Sequence, residues 1–296
     1  MFKRILFPTK FDEFSLEILK SIVCLKSGGL KEVVLLHVID IEKPYSRADW
    51  GGIVNLTSIQ KAADEQLASY AEYLQSEGIQ VKATITTGPV VSEILRIANE
   101  EEISLIVAGR QKRSILGDLF IGSTTDRIIR QADLPVLVTK YHTLQEVKGE
   151  LIERFCFNLF QKILYPVDWS PWTERVEKYL PSLLQAGASE IIAVHVAEDL
   201  VKRSGIRANE AQESIDTRIG KLQSLERSLR ASGFQAKTYL LEEKSAYRAI
   251  NRIATEEDVT IIVMGSQGKG HVEGIIWGSV SQRVVEYSER PVLVVK

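Results

Sequence analysis

A glycine-rich stretch near the C-terminus has the composition of a phosphate-binding loop. It follows the apolar run 261–264, with Gly265 and Gly268 separated by two residues and with Gly278 and Ser279 after nine more. Glycines let backbone N–H groups approach a ligand closely because no Cβ intervenes. A helix that begins at this point would add free N–H groups and a partial positive charge, which favour an anion. The stretch therefore predicts a site for the phosphates of a nucleotide.

The elements that must position this loop are predicted to alternate between strand and helix. In the first half the predicted strands are 5–9, 33–39, 81–86, 105–108 and 135–139, and the predicted helices are 15–26, 57–75, 91–99 and 124–131. Thr57 is the predicted cap of the second helix. This alternation indicates an α/β fold with a parallel sheet and helices on both faces.

The same pattern then starts again, at an offset of about 155 to 158 residues. Segment 163–166 repeats 5–8, segment 195–196 repeats 37–38, segment 278–279 repeats 122–123, and segment 291–294 repeats 135–138. A repeat of this length indicates a duplicated domain rather than a solenoid unit. We predict a first domain at 1–140, an amphipathic helical linker at 141–161 and a second domain at 162–296.

Composition and charge argue against several classes of protein. The chain has 296 residues, enough for about two domains, and its formal net charge of −2 provides no basic field for nucleic acid. Its apolar runs are far shorter than the roughly 20 residues of a membrane span. Cys24 and Cys156 have no CxxC spacing, which argues against a disulfide framework or a zinc site. Neither nucleic acid nor a membrane is a predicted partner, and a reducing cytoplasm is the predicted location.

The motifs of the second half resemble those of the universal stress proteins. ATP-binding members of that family carry the pattern G-x-x-G, nine residues, then G-[ST], which 265–279 matches in full. The family's P-x-D-x-S ending of the first strand is matched at 166–170. Because the resemblance covers both halves, the chain looks like a tandem member. It implies two Rossmann-like domains of the adenine nucleotide alpha hydrolase type, each with a five-stranded parallel sheet.

The resemblance also implies which residues would bind the nucleotide. They are Pro166, Val167, Asp168, Val196, Met264, Gly265, Gly268, Gly278, Ser279 and Val280. The glycines, Ser279 and Val280 would contact the phosphates, largely through backbone N–H groups. Asp168 would accept hydrogen bonds from the ribose hydroxyls, Val167 would pack on the adenine, and Val196 would meet the adenine through its backbone. The implied ligand is ATP or AMP, with or without Mg²⁺.

The first half departs from this pattern. Its equivalent positions are Lys10, Val38, Gly109, Lys112, Gly122 and Ser123. Lys10 replaces Asp168, and an ammonium group cannot accept a hydrogen bond from ribose. Lys112 replaces Gly268, and its side chain would crowd a loop that needs positive φ. The first site is therefore predicted to hold no nucleotide, although the alternative that both lysines attract phosphate by charge stays open.

Several single residues have a structural interpretation beside the functional one. Ser170, followed by Pro171, is predicted to be a helix N-cap with Pro in the first turn. Ser279 could likewise be only an N-cap. His37 and His195 follow buried strands without metal-ligand spacing, so a structural role is predicted for both.

The last strand of each half is predicted to lie at a sheet edge, and exposed apolar edges favour pairing. In the resembled family such edges pair antiparallel between subunits. Here 135–139 and 291–295 are predicted to pair within one chain and to relate the two domains by a pseudo-twofold axis. Association of two chains as a homodimer stays open.

The predicted function is that of a nucleotide-binding stress-response protein with a signalling or protective role. The second domain would hold ATP or AMP without efficient catalysis, because the sequence has no Walker A motif, no G-x-G-x-x-G fingerprint and no base placed beside the phosphates. Three alternatives stay open: a nucleotide-free interaction scaffold, a protein that slowly hydrolyses ATP or phosphorylates itself on Ser279, and an enzyme that adenylylates a substrate.

Overall fold

The structure is a computed structural model, which describes residues 2–11, 18–19, 22–40, 56–110, 122–140, 159–198, 208–268 and 277–296. Lys112 and most of the predicted linker helix lie outside the described residues. The side chain of Cys24 also lies outside the described part of the chain, although its backbone is described.

The described part of the first half contains strands and helices in alternation. They are β1 (Arg4–Thr9), β2 (Glu32–Ile39), α1 (Leu56–Ser76), β3 (Gln80–Thr87), α2 (Val90–Glu100), β4 (Leu105–Arg110), α3 (Ser123–Gln131) and β5 (Val136–Lys140). Helical residues at 18–19 and 22–23 precede a 3-10 turn, Cys24–Lys26. The predicted cap at Thr57 is wrong, because α1 already begins at Leu56.

The second half repeats this order. Its elements are β6 (Lys162–Pro166), α4 (Pro171–Glu177), α5 (Leu180–Gln185), β7 (Glu190–Val196), α6 (Ala208–Ala231), β8 (Gln235–Leu241), α7 (Ala246–Glu256), β9 (Ile261–Gly265), α8 (Ser279–Tyr287) and β10 (Val292–Val295). Every residue of β9 and of β10 is buried, as expected for strands covered on both faces.

The ten strands form one sheet in the order β3-β2-β1-β4-β5-β10-β9-β6-β7-β8. All neighbours within each half are parallel, whereas β5 and β10 pair antiparallel, with Val138 opposite Val292 and Val136 opposite Val294. The predicted pairing of the two last strands within one chain is therefore confirmed. From this junction outward, equivalent strands follow one another in the same order in both halves, as a pseudo-twofold relation requires.

Two apolar layers cover the two faces of this sheet, and each layer contains residues of both halves. One includes Phe7 and Tyr165, and the other includes Leu6 and Leu164. Because side chains alternate between the faces of a strand, neighbouring residues of β1 and of β6 enter opposite layers. None of the helices in the described segments is long and apolar enough to cross a membrane.

Lys296 links the second half to the first. Its Nζ donates to the backbone carbonyl of Ile129 in α3. Burial lowers the pKa of Lys296 to about 8; nearby Asp133 opposes this shift, and Arg130 adds to it. The cation is therefore held in a site that disfavours its charge.

This shift predicts a pH dependence of stability. An unfolded lysine titrates near pH 10.4, so between about pH 8 and pH 10 the unfolded chain binds this proton more tightly than the folded protein does. The contribution of Lys296 to the free energy of unfolding should therefore rise with pH through this window. Urea unfolding of the native protein and of Lys296→Met, at about pH 8 and at about pH 10, should show that their difference in free energy of unfolding grows with pH. A difference that stays constant with pH would contradict the shifted pKa.

Candidate functional site

The carboxyl ends of β6 and β9 lie side by side, because these two strands pair in parallel register through Ile163 and Ile261. The strand order reverses here: β7 lies on one side of β6, and β9 lies on the other. Open α/β sheets bind ligands at such a switch point. Pro166 ends β6, and the N–H of buried Val167 donates to the carbonyl of Val194 at 2.8 Å, which extends the ladder with β7 by one residue.

Asp168 follows directly and is held in one orientation. Its Oδ1 accepts hydrogen bonds from the Ser170 N–H at 3.0 Å and from the Thr173 hydroxyl at 2.7 Å. Ser170 is the N-cap of α4 and accepts from the Thr173 N–H, with Pro171 at the first helical position, as predicted. The start of α4 therefore fixes this carboxylate and leaves Oδ2 to face the loop after β9.

Oδ2 of Asp168 faces Gly268. A Cβ added at Gly268 would lie 2.5 Å from this oxygen, closer than real Cβ contacts come. Only glycine fits here without displacing the carboxylate or the loop. The two motifs of the second half, which lie about 100 residues apart, therefore meet at one contact.

Gly265 is also a point of close approach. A Cβ at this position would lie 2.8 Å from the Cβ of Trp172 and 3.0 Å from its backbone carbonyl oxygen. Helix α4 thus rests directly on the end of β9. Backbone atoms cannot move aside as the tip of a side chain can, so this contact fixes where the loop begins.

The loop closes onto the N-terminus of α8. The Gly278 N–H donates to the Ser266 carbonyl at 2.9 Å, and the Ser281 hydroxyl donates to the Gly265 carbonyl at 2.9 Å. Gly278 is the N-cap and makes no side-chain cap hydrogen bond. The interpretation of Ser279 as an N-cap is therefore wrong: Ser279 is the first helical residue and is exposed. The first N–H groups of α8 face the loop without a side-chain cap.

Three predicted residues line the same side of the sheet near these strand ends. Met264 is buried, and Val196 and Val280 are partly buried against the same apolar layer. Val167 packs into the opposite layer. The structure thus brings the strand ends, the loop and the start of α8 together, and it places the side chains of Val167 and Val196 in opposite apolar layers.

Comparison with known proteins identifies the fold and family. Residues 1–140 and 159–296 both match the model of the Universal stress protein family. The chain belongs to the universal stress protein family. A universal stress protein of Methanocaldococcus jannaschii is 29% identical over 155 residues, which cover 47% of this chain and 96% of that protein. One from Mycobacterium bovis is 23% identical over 252 residues, which cover 80% of this chain and 78% of that protein.

A solved structure shows the same architecture along the whole chain. The crystal structure of a universal stress protein from Archaeoglobus fulgidus is 24% identical, covers 100% of this chain and 99% of its own, and gives a TM-score of 0.76. The predicted Rossmann-like α/β fold and the tandem arrangement of two universal stress protein domains are therefore confirmed.

The first universal stress protein domain keeps the scaffold of this site. The Thr125 hydroxyl donates to the Gly109 carbonyl at 3.0 Å, as Ser281 does to Gly265 in the second domain. Gly122 is the N-cap of α3, as Gly278 is of α8, and Ser123 is the first helical residue.

The contacts around these equivalent residues differ. A Cβ at Gly109 would collide with the side chain of Ile18, whereas one at Gly122 would meet nothing within 4 Å among the described residues. Lys10 is exposed, and Val38 is partly buried.

A paired aromatic–histidine contact in both domains was missed at the sequence level. Trp169 has a φ of 55° and Phe11 a φ of 60°, in the left-handed region that bulky residues rarely adopt. The Trp169 ring lies 4.1 Å from the His195 ring, and the Phe11 ring 4.3 Å from the His37 ring. The repeated spacing of aromatic and histidine in the two halves could have revealed it.

The two histidines fix the strand ends through their backbones. His195 Nδ1 lies 2.7 Å from the Val167 carbonyl oxygen, and His37 Nδ1 lies 2.9 Å from that of Thr9. A carbonyl only accepts, so Nδ1–H donates in both cases. Burial lowers the pKa of His37 and so favours the neutral ring, although the hydrogen bond to the Thr9 carbonyl acts in the opposite direction. These contacts agree with the predicted structural role.

Proposed function

We propose that the second domain binds an adenine nucleotide, ATP or AMP, with its phosphates on the loop 265–268 and the start of α8. The contact between Asp168 and Gly268 carries the proposal, because it joins the two motifs at one switch point of the sheet. The spacing of the loop is that of the ATP-binding members that the chain resembles.

The loop and α8 fit a phosphate group. A Cβ at Gly265 would clash with Trp172, and one at Gly268 would clash with Asp168, so both positions require glycine. Without a Cβ, the backbone N–H groups of the loop can be approached closely. The N-terminus of α8 has no side-chain cap, and an anion would satisfy its N–H groups and interact favourably with the helix dipole. Ser279 is exposed at this end and adds a hydroxyl.

Asp168 fits the sugar rather than a phosphate. Its carboxylate would repel a phosphate placed against it, whereas ribose hydroxyls can donate to its oxygens. The hydrogen bonds from Ser170 and Thr173 hold Oδ1, so the carboxylate is oriented before the ligand arrives. Such preorganisation lowers the cost of binding.

We infer that nucleotide occupancy, rather than rapid turnover, serves the function. Among the described residues of this site, Asp168 is the carboxylate that lies beside the loop, and it accepts hydrogen bonds from Thr173 and Ser170. The Nδ1–H of His195 donates to the Val167 carbonyl, so the imidazole ring has a structural role. No group of three or more described His, Cys, Asp or Glu side chains is placed to hold a metal ion. The domain would report nucleotide levels through its bound state.

Calorimetric titration of the full chain with ATP tests this proposal. Asp168→Asn keeps the shape of the side chain but removes its charge, and hydrogen bonds to charged groups contribute about 1.5–3 kcal/mol, so affinity should fall about 10- to 150-fold. The matched control is Lys10→Gln at the equivalent position of the first domain, which should leave affinity unchanged. Equal affinities for the native protein and Asp168→Asn would refute the proposed role of Asp168.

A further inference from the structure

Trp277 occupies the junction between the two domains, next to the proposed phosphate site. Its side chain is 1% exposed. It belongs to the apolar layer that also contains Ile128 and Ile129 of α3 and Val138 of β5. One peptide bond separates Trp277 from Gly278, the N-cap of α8. Burial of the Trp277 side chain therefore anchors the backbone that enters this helix.

Arg130 of the first domain lies over this tryptophan. The central guanidinium carbon is 5.6 Å from the centre of the Trp277 ring, within the range of a cation–π interaction. Asp126, one turn earlier in α3, orients the guanidinium through hydrogen bonds of 2.7 and 3.3 Å. Lys296 of the second domain binds the Ile129 carbonyl on the same helix. Helix α3 is thus attached to the second domain at two neighbouring points.

The position equivalent to Arg130 in the second domain carries no cation. Helices α3 and α8 are equivalent at an offset of 156 residues, since Gly122 corresponds to Gly278. At that offset Arg130 corresponds to Glu286, and Asp126 corresponds to Gln282. A cation at this position of the helix is therefore present only in the domain whose nucleotide motif has changed, and it lies over a tryptophan of the domain whose motif is intact.

We propose that Arg130 is a positioning residue for the nucleotide site of the second domain, so that the first domain supports phosphate binding in its neighbour. This inference rests on the proposed function. The guanidinium fixes the Trp277 ring, the ring fixes the backbone at Gly278, and the Gly278 N–H is bonded to the Ser266 carbonyl at 2.9 Å. The start of α8 and the glycine loop are held together through this chain of contacts.

Calorimetry of full-length variants with ATP and with adenosine tests the proposal. Arg130→Met removes the cation but keeps an apolar stem, and loss of one cation–π contact made by a partly exposed arginine should weaken ATP binding about 2- to 5-fold. Adenosine has no phosphate to meet α8, so its affinity should not change. Arg130→Lys, which retains a cation, should recover most of the loss. The matched control is Arg127→Met, because Arg127 is exposed on the same helix.

The outcomes separate this inference from the function on which it rests. A native protein that binds neither ligand would refute the proposed function itself. Native binding together with unchanged ATP affinity in Arg130→Met would overturn the role of Arg130 alone. An equal loss for ATP and adenosine would also overturn it, since that result describes general destabilisation. Selective loss for ATP, with rescue by Arg130→Lys, would support it.

Discussion

Val294→Lys should destabilise the whole protein and open the junction between its two domains. Val294 is fully buried in β10, opposite Val136 of β5 and beside Met264 of β9. An ammonium group placed there has no partner, and we expect the free energy of unfolding to fall by more than about 4 kcal/mol. The reason is positional: β10 lies at the centre of the ten-stranded sheet, where apolar layers of both domains meet.

Urea unfolding and small-angle scattering measure the two parts of this expectation. Stability should drop, and any protein that stays folded should be less compact because its domains separate. The control is Ile219→Lys, on the exposed surface of α6, which should change stability by no more than about 0.5 kcal/mol. Unchanged compactness and stability in Val294→Lys would contradict the pairing of β5 with β10.

Gly268→Ala should abolish most nucleotide binding while leaving the fold intact. The new Cβ would lie 2.5 Å from Oδ2 of Asp168, and Oδ1 of the same carboxylate is held by Ser170 and Thr173. The carboxylate cannot turn away without losing those hydrogen bonds, so the loop must move. Forcing extra volume into a packed site costs about 1–3 kcal/mol, which corresponds to a loss of affinity of about 5- to 150-fold.

Gly122→Ala provides the matched control for this variant. Gly122 ends the equivalent loop of the first domain, and an added Cβ would meet nothing within 4 Å among the described residues. Calorimetry with ATP should give native affinity for Gly122→Ala and strongly reduced affinity for Gly268→Ala, while the melting temperature of Gly268→Ala should fall by only a few degrees. Native affinity in Gly268→Ala would show that the contact with Asp168 does not shape the site.

The repeat in the sequence was sufficient to predict the tandem α/β organisation. A constant offset places Pro166 and Gly265 at the ends of equivalent strands in the second half, and parallel strands present their carboxyl ends at one edge. Pairing of the two terminal strands followed from the cost of leaving apolar edges exposed. The tandem organisation depends only on spacing and apolar pattern, whereas the antiparallel pairing also rests on the resemblance to the universal stress proteins, whose edges pair between subunits.

The contacts that shape the site could not be predicted in this way. The approach of Asp168 to Gly268 depends on the left-handed turn at Trp169, and nothing in the spacing indicates that an aromatic residue adopts positive φ. Residue type favours Ser279 as the cap of α8, whereas the backbone becomes helical one residue earlier than that interpretation requires, with Gly278 as the cap. The contact of Arg130 with Trp277 joins different domains and has no local signal.

Counting the nucleotide carried by the purified protein tests the central claim most directly. The full chain would be purified without added nucleotide, denatured, and its released small molecules identified and quantified by mass spectrometry. We predict about one adenine nucleotide per chain, held by the second domain. Two per chain would mean that Lys10 and Lys112 do not prevent binding in the first domain. No released nucleotide, together with no calorimetric binding of added ATP, would contradict the proposed site.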